Sequence, residues 1–386
     1  MHKLVLLLLI SILALVVLGP SLLAHFYLNL GFVNLSQAEL AASGPAAVAH
    51  SQRAERLFEQ AAQYAETYQA ARRGQGFNLL ARGDKAGAVA AWQDAQISAA
   101  SLLVFGENMI EQRQWEQALI WYECAAQLDL AASANAWAGL LQERKNYAAS
   151  FQVWQQALHS FPEHSQRLSW WQGLAHSLRA REQWQAAVQT SRTALSEFPD
   201  DPSLLTGLGM ALYYGGEGLE AATDVIQRAI ALDEDLAWSF ATMAQIMARE
   251  KQYERAYTWY SKAIARKSDT EWWYVARANV ARSAGKLPLA LKSYQQAIEL
   301  YPEYAAVYYE ISWAYYLTGE QERAVAAIEQ ALELAHTSSL NYYIRAGQIY
   351  EWANQPDEAL AVYQQALELA PDNQRVKDAL QRLEGK

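Results

Sequence analysis

The chain has one cysteine, Cys124, in 386 residues, which excludes an internal disulfide and a cysteine-based metal site. Proline and glycine are sparse, at 9 and 19, so nothing interrupts long helical stretches. Basic residues never run beyond a dipeptide such as Arg72-Arg73, and 41 acidic against 31 basic side chains leave a net charge of −10. Such a surface repels phosphate backbones, and no nucleic-acid partner is expected. Catalytic signatures are missing as well: there is no HExxH, no GxSxG and no P-loop. Gly207-Leu-Gly209 lacks the third glycine of a dinucleotide fingerprint. His159, Glu163 and His164 read as a solvated loop rather than metal ligands. No enzyme activity, cofactor or metal is expected.

Apolar and aromatic side chains are plentiful. Residues classed hydrophobic make up 52%, and there are 14 Trp and 22 Tyr, enough for a large core. Their first concentration is N-terminal. Leu4 to Leu18 has only Ser11 as a polar residue, and Leu4 to Leu28 supplies 25 residues, above the about 20 a bilayer needs. This predicts an uncleaved transmembrane helix within residues 1–30. The competing reading is a cleaved signal peptide, whose weak point is the proline in Gly19-Pro20-Ser21. Lys3 before the run, with no Lys or Arg after it until Arg53, places the N-terminus in the cytoplasm and the rest on the outer side. Ser36-Gln37-Ala38-Glu39 reads as a capping box within a connector. A helix from about Ala46 then carries the stripe Leu57, Ala61, Tyr64, Tyr68, Ala71, with Gly74 and Gly76 as breaks or kinks. Residues 31–68 are thus expected to be connector and membrane-proximal helix.

Beyond that, one phrase recurs. YECAAQLDL from Tyr122, WQQALHSFP from Trp154, SRTALSEFP from Ser191, IQRAIALDE from Ile226, YSKAIARKS from Tyr260, YQQAIELYP from Tyr294, IEQALELAH from Ile328 and YQQALELAP from Tyr363 are copies. Their starts lie 32, 37, 35, 34, 34, 34 and 35 residues apart. That period belongs to stacked helix pairs, none able to bury its apolar face alone. Small residues at Ala256, Ala290, Ala324 and Ala359 let two helices approach closely. Aromatics at Tyr260, Tyr294 and Tyr363 are expected to fill the gap to the next pair. Gly83, Gly285, Gly319 and Asn354 fall where a left-handed residue ends the first helix. Pro302 and Pro371 follow second helices they cannot continue.

Tyr343, Ala346-Gly347, Tyr350, Ala359, Tyr363, Ala366 and Pro371 together resemble the tetratricopeptide repeat (TPR), a 34-residue helix-turn-helix unit. Units beginning at Glu271, Ala305, Ala237, Pro202 and Leu168 are similar to it, and those at Ala131 and Ala99 more loosely. The unit from Gln69 is weakest, because Arg72 and Gln75 occupy positions where apolar residues are expected. The resemblance implies an all-α, right-handed superhelical solenoid of antiparallel helix pairs over residues 69–373. The apolar stripe Val376, Ala379, Leu380, Leu383 adds a capping helix over 374–386.

In this family the first helices line an inner groove. Carried onto this chain, the resemblance gives Tyr213, Tyr214, Trp238, Gln245, Arg249, Trp272, Asn279, Arg282, Tyr309, Trp313, Tyr316, Gln348 and Trp352 as partner-binding residues. Aromatics and arginine are the side chains that anchor interfaces. The bland alternative is that a tightly wound array buries these rings against one another. The family's peptide clamp holds a C-terminal carboxylate with repeated Lys and Asn. Only Asn279, Arg282 and Arg249 are similar to it here, and the lysine positions are absent. The expected function is a membrane-anchored scaffold binding a membrane-associated protein segment. The alternative is an accessory of extracellular polysaccharide assembly, with glycan as partner.

Overall fold

The computed structural model describes residues 2–41, 43–335 and 339–384, with side chains from residue 21 onward. It falls into two units, residues 1–182 and 183–386, each taken by itself. In the first lie α1 (His2–Leu40), α2 (Pro45–Ala61), α3 (Tyr68–Ala81), α4 (Lys85–Asp94), α5 (Ala99–Glu111), α6 (Trp115–Leu128), α7 (Leu130–Glu143), α8 (Tyr147–Ser160) and α9 (Arg167–Ala180). The second holds α10 (Trp184–Glu197), α11 (Pro202–Tyr214), α12 (Leu219–Leu232), α13 (Ala237–Arg249), α14 (Tyr253–Arg266), α15 (Glu271–Ser283) and α16 (Leu287–Leu300). It continues with α17 (Ala305–Thr318), α18 (Gln321–Leu334), α19 (Leu340–Trp352), α20 (Pro356–Leu369) and α21 (Gln374–Glu384). Every element among the described residues is helical, and successive helices pack as pairs into an all-α repeat solenoid.

The pair is built as the recurring alanines require. Ala88, Ala118, Ala222, Ala256, Ala290, Ala324 and Ala359 are all fully buried. The ring that follows one turn later is also buried, and it serves both sides. Trp92, Tyr122 and Tyr363 lie over Gly76, Gly106 and Gly347 in the first helix of their own pair. Tyr363 also packs with Val376 and Ala379 of α21, and Tyr260 meets Trp272 of the next pair edge-on. A residue without a side chain in the first helix leaves the hollow that the ring fills. First helices also touch the first helices of following pairs, α5 with α7, α11 with α13 and α15 with α17, which ranks them along one side.

Turns inside the pairs carry a left-handed residue, and the α11–α12 turn has positive φ at both Gly216 and Gly218. Gly83, Gly285, Gly319 and Asn354 have φ of 83, 73, 81 and 59°, as expected, and Arg113, Lys145 and Lys251 take φ of 58–59° at the corresponding places. The next amide then reaches back across the turn, Lys286 N to the Ala281 carbonyl and Gln252 N to that of Met247, both at 2.9 Å. This closes the helix end in the Schellman manner.

The N-terminal expectations need correction. Among the described residues no helix is long and apolar enough to cross a membrane, so the single-pass placement with an outer array does not hold. The side chains of residues 1–20, including the run Leu4 to Leu18, lie outside the described set. From Ala24 onward one face of the helix is covered by protein: Ala24 is buried, and Leu28 and Leu35 are buried with Ala54, Phe58, Ala61 and Ala71 of α2 and α3. Ser36 to Glu39 lie inside α1 and cap nothing. The stripe from Leu57 to Ala71 is divided between α2 and α3 by a turn at residues 62–67. Gly74 and Gly76 do not break α3, which runs unbroken from Tyr68 to Ala81. They are buried where its backbone meets Phe58 and Trp92.

Candidate functional site

The site is built on the first helices of the second unit. α17 reads AAVYYEISWAYYLT: Val307, Ile311 and Ala314 enter the core, while Tyr309, Trp313 and Tyr316 line the other side at spacings of four and three. α19 does the same, burying Ala346 and Ile349 and leaving Arg345, Gln348 and Trp352 on one face. One helix therefore serves two surfaces, a core of small and branched residues and an outer row of rings and arginine.

These two rows meet. Tyr309 stacks on Tyr342 with centroids 4.4 Å apart, and the Arg345 guanidinium lies 3.5 Å from the Tyr309 ring centre. Arg345 also donates to the Tyr309 carbonyl at 2.9 Å and stands 3.6 Å from Glu310. Trp313 stacks on Tyr316 at 4.5 Å, and Tyr316 meets Trp352 edge-on at 4.8 Å. Tyr309, Trp313, Ile344, Arg345, Gln348 and Arg375 line a cavity of about 350 Å³. Burial pushes the Tyr309 and Tyr342 hydroxyls up and the Arg345 guanidinium down from their ordinary values.

Asn279 and Arg282 join from α15. The Tyr294 hydroxyl donates to Asn279 Oδ1, which also accepts from Arg282 Nη2 at 3.2 Å. Arg282 pairs with Glu310 at 3.2 Å, so Glu310 sits between two guanidiniums. These are the residues most like the family's carboxylate clamp. Here the amide and one arginine are already engaged inside the protein. Burial pushes the Tyr294 hydroxyl up to about 12.

A separate cluster forms around α11. Tyr214 stacks on Trp184 at 4.9 Å and meets Tyr213 edge-on at 5.2 Å, and Arg249 lies 5.0 Å over the Tyr214 ring. Tyr213 donates to Glu250 at 2.6 Å, and burial, with that carboxylate behind it, pushes its hydroxyl up to about 12. Trp238 and Gln245 are half-buried on α13. Trp272, 38% exposed, packs edge-on to Tyr260 and Trp273 instead of joining the α17–α19 rows.

Glu310, Arg345, Tyr342 and Arg375 were not among the expected groove residues. The signal was present: Arg345 precedes Gln348 by three and Trp352 by seven, which is one helical face.

A tetratricopeptide repeat family model matches residues 172–237 and 275–339, and a second matches residues 341–373. The chain is 24% identical over 239 residues to the Hsp70-Hsp90 organizing protein of Triticum aestivum, a match spanning 52% of this chain and 41% of that protein. Among solved structures, the APC/C hetero-tetramer Cut9-Hcn1 is similar with a TM-score of 0.50 at 14% identity, covering 87% of this chain and 73% of that one. A tetratricopeptide repeat protein from Parabacteroides merdae gives 0.46 at 14% identity, over 66% of this chain and 99% of that one. Residues 172–237, 275–339 and 341–373 thus carry tetratricopeptide repeats within an all-α helical-repeat fold.

Proposed function

We propose that the α15–α17–α19 face of residues 183–386 is the docking groove, and that its occupant is a segment of a protein partner. The observation that carries this reading is the cavity beside Tyr309, Trp313 and Arg345, whose walls combine aromatic rings with guanidinium groups. Rings and arginine give the largest losses when interface residues are truncated. Arg282, Arg345 and Arg375 outnumber Glu310 here, on a chain whose net charge is −10. A segment combining an apolar anchor with an acidic group suits that balance. The wheat relative's name associates it with Hsp70 and Hsp90. A chaperone tail is less favoured for this chain, because Asn279 and Arg282 are engaged internally. A glycan is less favoured too, since the ring faces it would stack on are occupied by Arg345, Tyr342 and Tyr316.

The test is affinity isolation with the full chain, wild type against Trp313→Ala and Arg345→Ala, with Trp272→Ala as comparison and helicity checked by circular dichroism. Each of the first two variants is expected to weaken the recovered complex by about 2 kcal/mol or more, roughly thirtyfold. Trp272→Ala should retain it. Equal recovery by all the folded variants would remove this face from the account.

A further inference from the structure

Arg72 and Gln75 stand at the fourth and seventh positions of the unit from Gln69. In the units from Ala99, Pro202 and Ala237 the fourth position is Leu102, Leu205 or Phe240, and in those from Pro202, Ala237 and Ala305 the seventh is Leu208, Met243 or Ile311. All of these are core residues. In the first unit the polar pair instead borders a cavity of about 310 Å³ between α2, α3 and α4. On the α4 wall Gly87, Ala90 and Ala91 offer at most a methyl group to fill it, and Asp94 stands at the end of that wall.

Most of the polar wall is already matched. Arg72 pairs with Asp94 at 2.9 Å, Asp94 also accepts from Tyr68 at 2.6 Å, and Glu55 is held by Arg82 at 2.5 Å. Asn78 exchanges hydrogen bonds with Ser51. Two groups are left over. Gln75 is only 7% exposed, and its Oε1 accepts from Arg72 at 2.9 Å, which fixes the amide so that Nε2 is the remaining donor. Nε2 donates to no other described residue. Glu59, on the α2 wall, makes no hydrogen bond or ion pair among the described residues. Three carboxylates against one arginine leave the lining negative.

We propose that this cavity binds a small organic cation that also carries an accepting oxygen, the chemistry of a basic amino acid. Its ammonium or guanidinium group meets Glu59, and its oxygen accepts from Gln75 Nε2. The volume lies at the lower end of small-molecule sites, which fits a molecule of amino-acid size and excludes a nucleotide. A lysine or arginine side chain of a partner, with its backbone carbonyl, presents the same groups as the free amino acid.

Calorimetric titration of the full chain distinguishes these sources. The probes are L-lysine, L-arginine, an acetylated and amidated Gly-Lys-Gly peptide, and norleucine as the uncharged control. Binding of the free amino acids alone assigns the site to a metabolite, and binding of the capped peptide alone assigns it to a partner's side chain. In either case Glu59→Gln and Gln75→Leu should each weaken it about tenfold or more, and norleucine should not bind. Glu59 is exposed, so its variant keeps the fold whatever the fate of Gln75→Leu. No binding by any charged probe, equal binding of norleucine, or binding unchanged in Glu59→Gln would overturn the proposal.

Discussion

A single missing side chain decides how closely two helices of a pair approach. A Cβ placed on Gly347 would stand 2.4 Å from the Tyr363 ring, and one on Gly106 would stand 2.2 Å from that of Tyr122. Glycine inside a helix is disfavoured by about 1 kcal/mol relative to alanine, so Gly→Ala in an open helix is stabilising. Here the ring has nowhere to go, since Tyr363 is packed in the terminal core with Ala346, Ala359 and Val376. Overpacking of this sort costs about 1–3 kcal/mol. Gly347→Ala is therefore expected to lower the thermal midpoint, with the sign opposite to propensity. Differential scanning calorimetry against Gly139→Ala, where a Cβ would meet nothing, checks it. A higher midpoint for Gly347→Ala would mean the ring is not wedged.

At the scale of the element, each pair's turn demands a left-handed residue whether or not the sequence supplies glycine. Lys251 adopts φ of 58° there, a conformation that strains a residue bearing a Cβ by about 1 kcal/mol. Lys251→Gly should raise stability toward urea by up to about 1 kcal/mol. Lys262→Gly, inside α14, should lower it by about 1 kcal/mol. Glycine and asparagine made four of these turns visible in the sequence, whereas Arg113, Lys145 and Lys251 carry no such mark. Their geometry is imposed by closure of the two helices, and the local residue tolerates it.

Across the whole molecule the recurring tyrosines make the fold sensitive to alkali. Burial pushes Tyr294 and Tyr350 up to about 12 from the ordinary 10.0, and raises Tyr260 and Tyr363 as well. The unfolded chain loses these protons first, so stability is full below about pH 10 and falls as pH rises toward 12. Tyr294, fully buried, should contribute about 2 kcal/mol to that loss. Denaturant titrations at stepped pH, wild type against Tyr294→Phe, should give a stability difference that is constant below pH 10 and shrinks above it. A difference independent of pH would show that the hydroxyl ionises as freely in the folded chain as in the unfolded one.

What the sequence determined by itself is the pair and its repetition. Small residue, ring, alanine and turn recur at one spacing, and each is a local demand of two helices in contact, legible wherever the residue type is restrictive. The outer row on α17 and α19 was half legible for the same reason: helical spacing exposed Trp313, Tyr316 and Trp352. Which of these rings meet, and that Glu310 lies between Arg282 and Arg345, depended on how neighbouring first helices align, a relation between residues 28 and 35 positions apart. The N-terminal helix shows the limit most sharply. Apolar composition reads the same whether the solvent is lipid or protein, and only packing against Phe58 and Ala71 showed that α1 turns the Leu28 and Leu35 face toward the latter. Gln75, an apparent flaw in the repeat, became a candidate ligand group only once the cavity beside it was seen.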